Sequence, residues 1–349
     1  IVLAFIAGHH FIHKEFQRFE NIQVFQPIKL KLSKSHNSLI FDYIFNGLMS
    51  FLLGYKIIYV INNYKSFSIE PQKLLLNSEG NFFVAFIFLC ISILYLKYSQ
   101  KNIEDKLSQT IYPSNLSINF IFIAAVSGII GAKLFSVFED FSYFIQNPIQ
   151  ALFSFSGLTF YGGLILGTIC TVIYARKYKL SILRLADSFA PSLILAYGIG
   201  RLGCHFSGDG DWGIIANFDN KPILIPDWLW GYSFPRNVIE AGVKIDGCVG
   251  KYCYELPHAV HPTSLYEAIF GIMAFLLLWK IRKKINIPGV LFCVYLIING
   301  IERFWIETIR VTEKYNLFNM NLTQAQVIGF CIIMIGISGI IYLNKYKTS

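Results

Sequence analysis

Residues Pro288–Arg310 read PGVLFCVYLIINGIERFWIETIR. A helix-breaking Pro-Gly pair opens the run, an apolar stretch follows to Ile306, and charge arrives only toward the end, at Glu302, Arg303, Glu307 and Arg310. Pro288–Ile306 is close to the roughly 20 residues that an α-helix needs to cross a bilayer. Gly300, Arg303, Glu307 and Arg310 are spaced three, four and three apart, which predicts one helix face carrying all of them. On that face Arg303 and Glu307 can pair, and Arg310 extends the stripe into the interface. Alone, such a stripe reads equally as a helix-end ion pair with snorkelling side chains. Ionisable residues at membrane depth otherwise mark substrate sites.

Outward from this run the same pattern recurs. The chain has 349 residues, 54% of them hydrophobic and only 15% charged, with a mean hydropathy of +0.51. Soluble domains carry about 25% charged residues. The expected fold is therefore all-α, a polytopic transmembrane bundle of about nine spans. We place them at Ile1–Ile12, Leu39–Ile61, Phe82–Leu96, Ser117–Phe138, Leu158–Ala175, Asp187–Cys204, Thr263–Ile281, Pro288–Ile306 and Ala325–Leu343. The first is short for a full crossing, so the sequence is expected to start partway through that helix. Cys90, Cys170, Cys293 and Cys331 fall inside apolar runs and read as small buried packing residues.

The net charge of +9 does not point to nucleic acid, because Lys and Arg cluster between the apolar runs. Lys14, Arg18, Lys29, Lys31 and Lys34 follow the first span; Lys97, Lys101 and Lys106 the third; Arg176, Lys177, Lys179 and Arg184 the fifth. Lys280, Arg282, Lys283 and Lys284 follow the seventh, and Lys345 and Lys347 the ninth. All these clusters fall on one side, which predicts a cytoplasmic C-terminus, an outside N-terminus and an extracytoplasmic segment Phe206–Pro262.

On that topology the polar residues near membrane depth gather at the outer face: Lys133, Tyr161, Arg201, His205, Glu302, Arg303, Glu307 and Arg310. Arg201 sits between Gly200 and Gly203, and its fork of donors suits a phosphate, or equally any lipid headgroup. The turn from Ser207 to Gly213 holds Asp209 and Asp211, too few ligands for a calcium loop, and reads as structural. Gly163 and Gly167 have the spacing of close helix packing. Cys248, Cys253, His258 and His261 have zinc-ligand chemistry. On an oxidising face a Cys248–Cys253 disulfide is the simpler fate, with free thiols or a metal as the alternatives.

Taken in order, seven segments resemble the prolipoprotein diacylglyceryl transferase family. They are Ser127–Lys133, Ser156–Leu164, Ile199–Gly203, the Gly-rich turn ending at Gly213, His261–Glu267, Arg303–Glu307 with Arg310, and Thr323–Gln326. The resemblance covers some two-thirds of the chain. It divides the chain into poorly matched N-terminal helices, 1–116, and a transferase-like core, 117–349, with the loop 206–262. It implies an enzyme of the bacterial cytoplasmic membrane that moves the diacylglyceryl group of phosphatidylglycerol onto the lipobox cysteine of a prolipoprotein signal peptide, releasing glycerol phosphate. No metal or other cofactor is expected, and no nucleic-acid partner. It also implies a catalytic set of Tyr161, Arg201, Arg303, Glu307 and His205, with Lys133, Gly162, Gly163, Gly213 and Arg310 binding substrate.

Two positions depart from the family's usual residues: Tyr161 stands where it usually has His, and Cys204 where it usually has Asn. The family's usual Glu of the Gly-rich turn corresponds loosely to Asp209 or Asp211, because this turn is one residue longer, and the family's early Tyr-Gly motif is expected to lie before Ile1 or to be missing. His205, beside Arg201, reads equally as a replacement base or as an interfacial structural His. The rival expectation is a lipid-binding or transport protein on the same scaffold, keeping the arginines and lacking the base.

Overall fold

In the computed structural model, residues 2–30, 36–64, 67, 79–104, 109–148, 159–312, 315–317 and 320–347 are described. Lys31, Lys34, Lys106 and the Ser156–Leu158 end of the second motif lie outside them.

Among the described residues the long apolar runs are helical. The long helices are α1 (Val2–Asn21), α2 (His36–Asn62), α3 (Phe82–Glu104) and α4 (Ser117–Glu139). After the short α5 (Phe141–Gln146) come α6 (Phe160–Lys177) and α7 (Ile182–Ser207). After the short α8 (Asp227–Trp230) come α9 (Thr263–Ile281), α10 (Val290–Ile306) and α11 (Gln324–Lys347). Three two-stranded ribbons accompany them: β1 (Ile28–Leu30) with β2 (Gln109–Ile111), β3 (Val243–Lys244) with β4 (Tyr254–Glu255), and β5 (Tyr315–Leu317) with β6 (Met320–Leu322), all antiparallel.

Among the described residues, four helical stretches are long and apolar enough to cross a membrane: Pro113–Glu139, Ile182–Ser207, Thr263–Ile281 and Gln324–Lys345. The first and last bury only 17% of their apolar windows against protein. Large apolar side chains such as Ile118, Phe122, Ile129, Phe330, Met334 and Ile335 face outward, which water would not tolerate over such an area and lipid does. This is a multi-pass membrane protein. In lipid, helices associate through packing and polar contacts rather than through removal of water, so the few close contacts below carry more of the architecture than they would in a soluble bundle.

Two compact units are present. One comprises residues 1–25, 114–122 and 171–349, the other 26–113 and 123–170. In the second, α2 packs along α3, and α4 meets α6 across glycines. A Cβ on Gly163 would lie 3.0 Å from the Gly128 carbonyl, and Gly131 and Gly162 oppose each other closer still.

In the first unit α7 lies between α1, α9 and α10. Its core is Ile194 and Leu195 from α7, Ala274, Phe275 and Leu278 from α9, and Leu291 from α10. Phe11 of α1 completes it, with its ring 4.7 Å from that of Phe275 and 4.8 Å from that of Trp279. Gly198 and Gly271 meet where α7 crosses α9: a Cβ on Gly271 would sit 3.0 Å from the Gly198 Cα. That close approach fixes the height at which Arg201, one turn beyond Gly198, faces Glu267, one turn before Gly271.

Three expectations need correction. α1 does not stop at Ile12 but runs to Asn21, because Glu15, Phe16 and Phe19 bury themselves against the unit; Lys14 and Arg18 are therefore helical, not in a connection. α10 ends at Ile306, with Glu307 as its C-cap, so Arg310 is not part of a helical stripe. Cys90 and Cys331 are exposed at the protein surface, whereas Cys293 is buried; a thiol on a lipid-facing side needs no packing partner.

Candidate active site

The site grows from one carboxylate. Glu267 lies in the first turns of α9 and its side chain is fully buried (0% exposed). Isolated, such a charge would be very costly to bury. Here three guanidiniums surround it. Arg201 Nε from α7 lies 3.2 Å from Oε2, Arg303 Nη1 from α10 lies 3.5 Å from Oε1, and Arg310 Nη1 lies 3.9 Å from Oε1. The Tyr197 hydroxyl, one turn before Arg201, lies 3.0 Å from Glu267 Oε1 and 3.2 Å from Glu302 Oε1. It has one proton, so it can donate to only one of the two carboxyls at a time. The Arg201 guanidinium also sits over the Tyr197 ring, 5.2 Å from its centroid.

Asp211 is the second anchor. One carboxylate oxygen takes Arg201 and the other takes Arg310. The turn that carries Asp211 is held against the helices by backbone bonds. The Gly213 amide donates to the His261 carbonyl at 2.9 Å, the Ile214 amide to the Ile309 carbonyl at 2.8 Å, and the Thr263 hydroxyl to the Asp211 carbonyl at 2.9 Å. Gly213 and Arg310 form an isolated β-bridge. A Cβ at Gly213 would stand 2.7 Å from the Ile309 carbonyl, so the bridge requires glycine there. Residues after α10 are thus drawn back across the turn, which brings Arg310 to Asp211 by tertiary contact and not by helical periodicity.

Glu307 is also buried. It pairs with Arg303 at 3.7 Å through Oε2 and accepts a 2.6 Å hydrogen bond from the Thr312 hydroxyl through Oε1. Arg201, Arg303, Glu307 and Arg310 therefore share one constellation. The centre is not marked as such in the sequence: Glu267 closes the His261–Glu267 motif, and Asp211 sits in a glycine-rich turn. Glu302 is among the outer-face candidates of the sequence, whereas Tyr197 has no sequence signal of its own. A buried Glu opening an apolar helix, on a bundle with three arginines at helix ends, was the available signal.

His205, near the end of α7, lies outside the ion-pair cluster. Its ring packs among Phe206, Tyr232 and Phe234 with centroids 5.2–5.6 Å away, and its Nδ1 is buried without a hydrogen-bond partner. Tyr161, Gly162, Gly163 and Lys133 belong to the other unit. There Tyr161 is exposed, Gly162 is buried and Lys133 is half-buried. Cys248 and Cys253 are joined by a disulfide within the 206–262 segment. Cys204, Asp209 and Asp211 each offer a ligand atom within 4.8 Å of one another, the spacing of a small cation site. Asp211 already gives an oxygen to each of two arginines, which leaves little charge for a metal.

The profile of the prolipoprotein diacylglyceryl transferase family matches residues 82–342. The chain belongs to that family. The phosphatidylglycerol–prolipoprotein diacylglyceryl transferase of Staphylococcus haemolyticus is 31% identical over 234 residues, covering 66% of this chain and 75% of that protein. The enzymes of the same name from Staphylococcus xylosus and Staphylococcus carnosus are 31% and 32% identical, covering 78% and 76% of their own lengths. The family match starts at residue 82, well before the Ser127 segment where the motifs first become recognisable. As a diacylglyceryl transferase the chain is an enzyme of lipoprotein biogenesis, and the arginine cluster on Glu267 and Asp211 lies inside the matched region.

Proposed function

We infer that this transferase moves the diacylglyceryl group of phosphatidylglycerol onto the thiol of a prolipoprotein's lipobox cysteine. Sulfur forms a bond to the glyceryl carbon, the bond from that carbon to the phosphate oxygen breaks with its electron pair, and glycerol phosphate leaves. The observation that carries this reading is the convergence on Glu267 of Arg201 from α7, Arg303 from α10 and Arg310 from the segment after α10. Guanidiniums held in place before substrate arrives stabilise a departing phosphate without reorganising. Arg303, about a third exposed, is the most available of the three to an incoming headgroup.

The thiol proton is a small problem. A free cysteine thiol has a pKa of about 8.5, roughly 1.5 units above neutrality, and nearby cations lower it. A weak base suffices, and we assign the task to His205 or Tyr161. The buried, unpartnered Nδ1 of His205 supports the first; the position of Tyr161 in the family motif supports the second. Purified protein given phosphatidylglycerol and a lipobox peptide is expected to yield the diacylglyceryl thioether by mass spectrometry and glycerol phosphate in equal amount. Loss of activity in His205→Ala, steeper at low pH, would identify that base, and the same loss in Tyr161→Phe would identify the tyrosine. No product from folded protein, beside an active control, would instead favour a lipid-binding protein on this scaffold.

We also propose that the site faces outward, with the C-terminus in the cytoplasm. Within the first unit Arg282, Arg184 and Arg18 lie at the ends of their helices opposite to Arg201, Glu267 and Arg303. The basic end is the cytoplasmic one by the positive-inside rule. In intact cells an impermeant thiol reagent is expected to label an Ile223→Cys variant and to spare Lys283→Cys. The reverse pattern would invert the topology.

A further inference from the structure

At the other end of α7 from the active site, three arginines converge without enough carboxylate to neutralise them. Glu15 of α1 is buried (1% exposed) and holds two: Arg18 Nη2 lies 2.7 Å from its Oε2, and Arg282 Nε bonds its Oε1. Arg282 also sits over Trp279, its guanidinium carbon 3.3 Å from the ring centroid, and donates to the Trp279 carbonyl. The third is Arg184, in the first turn of α7. Arg18 and Arg184 share the Phe19 ring, their guanidinium carbons 4.3 and 5.5 Å from its centroid. Arg18 is within electrostatic reach of both the others. Arg184 has one bond, Nη2 to the Asn286 carbonyl at 2.6 Å.

The nearby carboxylates are Glu15 and Asp187. Asp187 is already engaged in capping α10, accepting from the Gly289 amide at 2.7 Å and the Phe292 amide at 3.0 Å. Three positive charges thus face two carboxylates, Glu15 bonded to Arg18 and Arg282, and Asp187 within electrostatic reach of Arg184, which leaves a positive surplus. Donors remain over: Nη1 of Arg18, Nε and Nη1 of Arg184 and Nη2 of Arg282 have no hydrogen-bond partner among the described residues. α7 adds to this surplus. Its N-cap, Ser181, makes no side-chain capping bond, so the first amides of a 26-residue helix point out of the same turn that carries Arg184.

We propose that Arg18, Arg184, Arg282 and the first turn of α7 form a binding site for a phosphate-bearing anion, separate from the transferase site. The distance supports the separation. Seventeen residues of helix divide Arg184 from Arg201, about 25 Å at 1.5 Å per residue. An anion there offsets the surplus charge, caps the open helix end and ties α1, α7 and α9 together. Basic pockets between membrane helices hold anionic headgroups in this way. The phosphate has two sources, a lipid of the adjoining leaflet or a free phosphate from solution.

Hydrogen exchange of the amides at 182–184, which precede the first intrahelical bond from the Leu185 amide to the Ser181 carbonyl, separates these. The full-length protein is compared in phosphatidylcholine nanodiscs, in phosphatidylglycerol nanodiscs, and in phosphatidylcholine nanodiscs with millimolar inorganic phosphate. A lipid site gives several-fold slower exchange in phosphatidylglycerol alone. A free-anion site gives the same slowing with inorganic phosphate. In Arg184→Gln the slowing is expected to vanish while exchange around Arg201 stays as in the parent. Arg184→Lys retains the charge without the fork, keeps the fold if the glutamine variant does not, and is expected to show partial slowing. Equal exchange in all three media, or slowing that persists undiminished in both variants, overturns the proposal.

Discussion

Glu267→Gln is expected to lower transfer activity by about 10²–10³-fold, the scale of losing a preorganised charge-stabilising contact, and to reduce stability at the same time. The amide is nearly the shape of the carboxylate and still accepts from Tyr197, so packing is preserved. What disappears is the charge shared by Arg201, Arg303 and Arg310. Asp211 and Glu307 then face three guanidiniums, and the two well-buried ones, Arg201 and Arg310, lose half of their neutralisation. Removing one partner from a buried ion cluster costs roughly 3–5 kcal/mol; Arg303, being more exposed, adds little to that. The measurement is product formation by mass spectrometry alongside thermal unfolding in detergent. Parent-like values in both would reduce Glu267 to a spectator.

Arg201→Lys is expected to lower kcat/KM by about 10²-fold with a smaller loss of stability than Glu267→Gln. Arg201 divides its donors: Nη1 reaches Asp211 and Nε reaches Glu267. A planar fork does this while presenting its remaining edge to a phosphate; an ammonium is a point charge and can satisfy one carboxylate or the other, not both and a ligand. The positive charge survives, so the cluster stays folded while the geometry for the leaving phosphate is lost. The rate is read at varied phosphatidylglycerol, where the defect should appear in kcat as well as KM. A defect in KM alone would make Arg201 a general headgroup contact with no part in the chemical step.

Both variants concern a centre that was only partly legible from the residues. Arg201, Arg303 and Glu307 stood out because charge is rare in apolar runs, and rarity survives any fold. Arg310 was legible as a residue but not as a position: helical spacing carried it along α10, whereas the chain leaves the helix at Ile306 and bridges to Gly213. The partners of Asp211 were hidden for a related reason. An Asp in a glycine-rich turn is ordinary, and nothing local shows that two arginines 10 and 99 residues away will close on its two oxygens. Arg184 and Arg18 were read as topogenic charge only, since a one-dimensional count cannot show that they share the face of Phe19.

The apolar runs by themselves determined that this chain is a bundle of membrane helices. A backbone in hydrocarbon must satisfy its own hydrogen bonds, and the length of each run leaves one solution. Ordered motifs determined the family, because several short patterns in sequence are far more specific than any one. Tertiary structure alone decided which charges meet. Ion pairing depends on a few ångströms between side chains on different helices, and those distances come from glycine crossings such as Gly198–Gly271 and from a loop folded back by Gly213. Neither has a local signature, since glycine is common and its meaning at each place comes from what lies opposite it.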